Sequence, residues 1–218
     1  MGLTLYIGNK NYSSWSFRPW LAMKAANIAF EEVVIPLYTG TTDKQRILDV
    51  SPAGKVPVLT DGDVTVWDSI AIIEYLAEKF PGAQLWPQDP ASRAHARAIS
   101  AEMHGGFGAL RRECGMKIHR PRRAKELSEE ARENIARVQE IWTDCRKHYG
   151  RTGPFLFGAF TAADAMYAPV VHRFRTYAID ASPPVQEYME AMLAYPPFAE
   201  WTAQALAETL VIDRFETD

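Results

Sequence analysis

Three hydroxyls stand together near the N-terminus: Tyr12, Ser13 and Ser14, in the run Asn11-Tyr-Ser-Ser-Trp-Ser16. They follow a short apolar run and precede a stretch rich in helix formers. A strand-to-helix turn of this kind can do two things. It can carry a serine nucleophile, which needs a base within hydrogen-bond reach. It can also hold an anion with hydroxyls and the free N–H groups of a helix start. The histidines, His95, His104, His119, His148 and His172, all lie in the later part of the chain, and no Gly-x-Ser-x-Gly elbow is present. A serine hydrolase is therefore disfavoured. Cys145-x-x-His148 supplies two ligand types at most, so no metal site is predicted.

The turn must be positioned by the elements around it. Leu3, Leu5 and Ile7 alternate with Thr4, Tyr6 and Gly8, which is strand period. Helix formers run from Phe17 to Ala26, so the helix is expected to start near Ser16, with Ser14 as its cap and Pro19 close to the start. Glu32-Val-Val-Ile-Pro36 reads as a second strand and Lys44 to Asp49 as a short helix. Lys55-Val-Pro-Val-Leu-Thr60 and Asp63-Val-Thr-Val-Trp67 flank Asp61-Gly62, a preferred turn pair for a β-hairpin. Ile70, Ile73, Leu76 and Ala77 share one helical face over Ser69 to Lys79. A βαβ unit followed by a hairpin predicts a mixed sheet.

The proline-rich segment Phe80 to Pro90 reads as a linker. Beyond it only helical patterns occur: Ala91 to about Arg112, Ser128 to Tyr149, Ala162 to Tyr177, Pro184 to Ala194 and Pro197 to Leu210. The expected division is an α/β unit over residues 1–80 and an all-α unit over 90–218. The chain has 218 residues, 47% hydrophobic and 23% charged, with a formal net charge of −3. That is an ordinary globular composition with nothing pointing to nucleic acid. Cys114 and Cys145 are too few for a disulfide framework. With no basic-then-apolar leader and no bilayer-length apolar run, the expectation is a cytoplasmic protein without membrane contact.

Four motifs in order carry a resemblance: the serine-bearing turn, Ser51-Pro-Ala-Gly-Lys-Val-Pro-Val-Leu59, Asp68-Ser-Ile-Ala-Ile-Ile-Glu-Tyr-Leu76, and Thr161-Ala-Ala-Asp164. Over nearly its whole length the sequence resembles the cytosolic glutathione transferases, nearest the zeta class. The resemblance implies a thioredoxin-like N-terminal domain with a mixed sheet, a helical C-terminal domain, glutathione as co-substrate, a small electrophile as second substrate, and a homodimer.

It also implies roles for particular residues. The family carries a cis-proline at the Val56-Pro57 position, which turns the backbone of Val56 outward to pair with an extended peptide. The alternative is that Pro57 only begins an edge strand. Lys55 precedes this pair. Asp68 and Ser69 match the residues that take the γ-glutamyl end of glutathione, the serine its carboxylate and Asp68 its ammonium group. A plain helix cap is the alternative. A thiol with an ordinary pKa near ~8.5 is mostly protonated at neutral pH. A hydroxyl that donates to its sulfur beside a helix start favours the thiolate. That role falls to Ser13 first, Ser14 second and Tyr12 third. Ser13 matches the cysteine of the zeta Ser-Ser-Cys-Ser-Trp run, and Asn11 and Tyr12 replace its first two serines. Trp15 is expected by the site or between the domains, with plain core packing as the alternative.

The basic stretch Arg111 to Lys125 reads as a solvated loop, with Arg111 and Arg112 as candidate site contacts. Thr161-x-x-Asp164 is a capping box with a folding role. The absence of a cysteine from the active-site turn argues against thiol–disulfide exchange. Thr176 stands where zeta isomerases carry a substrate-binding arginine, and Arg173 and Arg175 face other directions on a helix. Conjugation or peroxide reduction is therefore expected over cis-trans isomerisation. A non-catalytic binding module on the same fold is the third reading.

Overall fold

The computed structural model describes residues 2–38 and 40–216. A four-stranded sheet is built from β1 (Leu3–Ile7), β2 (Phe30–Val34), β3 (Val58–Asp61) and β4 (Val64–Val66), in the order β2-β1-β3-β4. The pair β1 and β2 is parallel; β1 with β3 and β3 with β4 are antiparallel. The crossover between the parallel strands is α1 (Ser14–Ala25), as a parallel pair requires. Leu3, Leu5 and Ile7 of β1 are buried while Thr4 and Tyr6 are half-buried, which is the alternation their types dictate. Next come α2 (Thr41–Leu48), between β2 and β3, and α3 (Ser69–Lys79), after β4. This is the expected thioredoxin-like arrangement with a mixed sheet.

The later part of the chain is helical: α4 (Pro90–Gly105), α5 (Gly108–Glu113), α6 (Glu129–Tyr149), α7 (Ala162–Thr176), α8 (Pro183–Ala194), α9 (Pro196–Ala207) and α10 (Asp213–Glu216). Helix α7 is buried on almost all sides, Arg175 being its exposed residue. Its start is fixed by the capping box. The Asp164 carboxylate accepts from Thr161 N–H at 2.8 Å, Thr161 Oγ1 at 3.0 Å and Leu156 N–H at 3.0 Å. Burial raises the Asp164 pKa to about 6 in spite of these donors.

Aromatic side chains join the two halves. Phe17 of α1 stacks on Trp201 of α9 at 4.7 Å, and Trp20 meets the same indole edge-on at 5.1 Å. The buried Lys10 ammonium lies 5.1 Å from the Trp20 ring and 5.2 Å from the Trp201 ring and pairs with Glu32 at 2.6 Å. A buried ammonium needs such a carboxylate and such ring faces.

Three sequence expectations are corrected. Helix α1 begins at Ser14, so Ser13 holds the cap position and Ser14 the first turn; Pro19 then lies inside the helix. The hairpin turn is Gly62-Asp63, because Asp61 pairs with Val64; Gly62 takes the positive φ of +59° that the first turn position requires. The helix expected over 91–112 is two helices, broken at Gly106 and Phe107, the latter left-handed at φ +58°. Helix α3 spans Ser69–Lys79 as expected, with Asp68 at its cap position.

Candidate active site

Strand direction gathers the candidate residues at one end of the sheet. Strand β1 ends at Ile7, and Tyr6 pairs with Val58 at the start of β3. Val66, at the end of β4, pairs with Leu59 near the same start. The turn after β1, the Val56-Pro57 pair before β3 and the Asp68-Ser69 pair after β4 therefore share one edge. Three segments of separate sequence origin meet there because two of the strand pairs are antiparallel.

The turn after β1 is held from several directions. The Asn9 carbonyl accepts from Ser13 N–H at 2.8 Å and Tyr12 N–H at 3.2 Å. Ser13 Oγ donates to Ser16 Oγ at 2.7 Å, and Ser16 Oγ accepts from Gly8 N–H at 3.1 Å. Gly8 is small for a reason: a Cβ there would lie 2.5 Å from a Leu37 methyl and 3.2 Å from Ser13 Cβ. From the helical half, the Glu208 carboxylate accepts from Lys10 N–H at 2.6 Å and Asn11 N–H at 2.9 Å, and the Asn11 side-chain oxygen accepts from His119 N–H at 3.0 Å.

Tyr12 faces away from this edge. Its hydroxyl donates to Glu216 at 2.6 Å and accepts from Ile212 N–H at 3.3 Å, and its ring lies 5.7 Å from Phe215. Burial, then the Glu216 hydrogen bond, raises the phenol pKa. The chain's last segment thus occupies the hydroxyl that sequence reasoning held as third choice.

The Val56–Pro57 peptide bond is cis, as is Trp67–Asp68. Val56 is half-buried, and its N–H and C=O make no backbone hydrogen bond among the described residues. Lys55 beside it is exposed. Ser69 is fully buried, yet its Oγ has no partner among the described residues. A buried hydroxyl without a partner is costly, so a ligand group is the natural acceptor or donor for it. Asp68 lies 3.1 Å from His104 Nε2.

Trp15 connects the two halves of the site. Its ring meets His104 edge-on at 5.1 Å, carries the Arg18 guanidinium at 4.3 Å and lies 5.4 Å from that of Arg111. Arg111 is half-buried and donates to the His104 carbonyl at 3.1 Å. Arg112 lies apart: it is exposed and pairs with Glu130 at 3.1 Å, so it does not join this group. Adjacent helical residues diverge by about 100°, which separates the two arginines.

Sequence reasoning missed Ser16, His104, Arg18 and Glu208. Ser16 had a local signal, because it stands three residues after Ser13 and shares its helical face. Arg18 also lay three residues after Trp15. His104 and Glu208 reach the site only through the packing of helices, and no local pattern marks them.

With this geometry in place, comparison with known proteins is direct. Residues 12–79 match the family model described as glutathione S-transferase, N-terminal domain, and residues 125–204 the one described as glutathione S-transferase, C-terminal domain. A probable maleylacetoacetate isomerase of Caenorhabditis elegans is 30% identical over 89% of this chain and 90% of its own. The chain belongs to the glutathione S-transferase family. Glutathione S-transferase Z2 of Arabidopsis thaliana is 29% identical over 80% of each chain. Among solved structures, a glutathione transferase homologue from Burkholderia, with bound glutathione, superposes with a TM-score of 0.71 at 24% identity, covering 95% of this chain and 100% of that one. A diazinon-metabolizing glutathione S-transferase of the silkworm, Bombyx mori, gives 0.74 at 19% identity over 94% and 98%. These structural likenesses carry the fold of the family member. Among the described residues, no helix is long and apolar enough to cross a membrane.

Proposed function

We propose that the protein binds glutathione at the shared sheet edge and adds its thiolate to a small electrophile. The observation that carries this reading is the convergence there of Val56's backbone groups and the Ser69 hydroxyl at the start of α3, both unpaired among the described residues, and the Ser13 hydroxyl at the start of α1. An extended tripeptide pairs its cysteinyl unit with Val56 as an added strand. Its γ-glutamyl carboxylate takes Ser69 Oγ and the helix N–H groups, and its ammonium group takes Asp68 from His104. The sulfur then lies by Ser13.

Hydroxyl hydrogens rotate, so the Ser13–Ser16 pair can reverse. Ser16 then donates to Ser13, and Ser13 donates to sulfur, with Gly8 N–H anchoring the chain. Donors in series polarise one another and strengthen the last bond. Each pKa unit by which the thiol falls corresponds to about 1.4 kcal/mol of thiolate preference. The thiol proton leaves to solvent, the sulfur electron pair forms the new C–S bond, and the electrophile's leaving group departs with its own pair.

The reading includes a division into a glutathione-binding unit over residues 1–80 and a substrate-binding unit over 90–218. It also includes a homodimer: Val64 and Trp67, at and just after edge strand β4, are 45% and 44% exposed, which suits cover by a second copy. A cytoplasmic location suits its two reduced, buried cysteines. Conjugation ranks above isomerisation because Thr176 is buried and its carbonyl accepts from Arg123 N–H, while Arg175 points to solvent. The test is glutathione conjugation of chlorodinitrobenzene beside turnover of maleylacetoacetate. Conjugation well above the uncatalysed rate supports the proposal; efficient isomerisation with no conjugation overturns the ranking.

A further inference from the structure

A second concave site lies at the other end of α4 from the candidate active site. The linker after α3 passes over the segment between α6 and α7, and the two bound a cavity of about 290 Å³. That is the low end of the range for small-molecule pockets, ~300–1,000 Å³. Ser92 lines the cavity, and His104 follows twelve residues later on α4, about 18 Å along the helix. The cavity shares no lining residue with the glutathione edge.

Four rings line it: Trp86, Tyr149, Phe157 and Phe160. Stacking fixes three of them, Tyr149 on Phe157 at 5.0 Å and Phe160 on Tyr195 at 4.7 Å. Trp86 already carries a cation. The Arg97 guanidinium lies 5.4 Å from its ring centre, and Glu74 answers that charge at 2.9 Å. The one charged group among the lining residues is Asp89, exposed at the rim. Its carboxylate accepts from the Ser92 N–H and hydroxyl, both at 2.8 Å. These donors hold its pKa below the usual carboxylate range, so it is ionised at neutral pH. Other polar groups of the lining are engaged: the Ser92 hydroxyl serves Asp89, and Thr161 Oγ1 donates to Asp164. No lysine or arginine is among the described lining residues, and the neighbouring Arg93 turns back onto the Pro87 and Gln88 carbonyls at 3.1 and 2.6 Å.

What the cavity offers a ligand is therefore aromatic wall and one negative charge. A primary ammonium brings three N–H donors that need acceptors. A quaternary ammonium brings none, and ring faces attract it through their quadrupoles. We propose that this cavity binds a small quaternary ammonium compound, its methyl groups against the four rings and its charge toward Asp89. The site is separate from the glutathione edge and does not depend on the transferase reading.

The test is calorimetry with three compounds: choline, its uncharged isostere 3,3-dimethylbutanol, and ethanolamine, which keeps the charge and lacks the methyl groups. Choline is expected to fill one site per chain and to bind at least ~10-fold tighter than either of the others. Two variants follow. Asp89→Asn removes the charge and retains a good helix cap. Phe157→Leu keeps an apolar wall and removes a ring face. In each, the preference for choline over dimethylbutanol should fall to about three-fold or less. Choline should leave glutathione affinity unchanged. No choline binding at millimolar concentration, equal binding of choline and dimethylbutanol, a preference untouched in both variants, or displacement of choline by glutathione overturns the site. Sedimentation with phosphatidylcholine vesicles without binding of free choline also overturns it, because the ligand would then be a membrane headgroup.

Discussion

Replacing Ser13 by alanine is expected to raise the pKa of enzyme-bound glutathione. A hydrogen bond to a charged group is worth about 1.5–3 kcal/mol. At about 1.4 kcal/mol per unit, its loss moves the thiol pKa up by about 1–2 units. At a pH below both values, the thiolate fraction falls by the same factor, and kcat/KM falls about 10–100-fold. Above both values the difference closes, because both proteins then hold thiolate. Glutathione affinity at low pH changes little, since the neutral thiol gains little from Ser13. Ser16→Ala acts through Ser13: the thiol pKa rises by less, and the buried Gly8 N–H loses its acceptor, costing about 1–3 kcal/mol of stability. Ser14 is in the first turn and not at the cap, and its hydroxyl makes no hydrogen bond among the described residues, so Ser14→Ala is expected to change stability less than Ser16→Ala does. The assay is thiolate absorbance of the glutathione complex against pH, for Ser13→Ala, Ser14→Ala, Ser16→Ala and Tyr12→Phe. A wild-type titration in Ser13→Ala refutes the reasoning. A shift in Tyr12→Phe instead would move the role to a hydroxyl that first has to leave Glu216.

Glu208→Ala strips the acceptor from two N–H groups of the active-site turn and is expected to cost about 1–3 kcal/mol in urea unfolding, with lower kcat. Glu208→Gln retains one acceptor oxygen and should fall between. His172 is buried between α1 and α9; burial first, then Arg175, pushes its pKa down to about 3. The unfolded chain protonates near ~6.5, so stability falls as pH drops from there toward 3, by at most about 1.4 kcal/mol per unit. His172→Gln should flatten that part of the stability–pH curve. Sedimentation at micromolar concentration should give twice the 24.5 kDa chain mass, and Trp67→Glu should shift it toward the single chain.

What the sequence revealed follows from which forces are local. Strand β1, the face of α3 and the capping box at Thr161 and Asp164 are set by alternation, helical period and a residue pair three apart, so they were legible. The break at Gly106 and Phe107 was not, because two glycines at a helix end read equally as a tolerated weak spot. The hairpin turn was misplaced by one residue, since Asp61-Gly62 and Gly62-Asp63 both suit two-residue turns and register decides between them. Ser13, Val56, Asp68 and Ser69 were singled out as candidates from motifs, and strand pairing places them at one edge of the sheet. The Glu208 clasp on the turn, the Tyr12 bond to Glu216 and the buried arginines depend on helices packed from far along the chain. Arg111 and Arg112 looked alike in sequence; only the rotation of α5 sends one to Trp15 and the other to Glu130.

The most direct test of the account is a calorimetric titration of the protein with glutathione, beside Ser69→Ala. One saturable site per chain is expected for the wild type. Ser69→Ala should bind about 5–30-fold more weakly, the loss of one hydrogen bond to a carboxylate. Its unfolding midpoint should be unchanged or raised, because the substitution removes a buried hydroxyl that has no partner among the described residues. No glutathione binding at millimolar concentration, or equal binding by the two proteins, would contradict it.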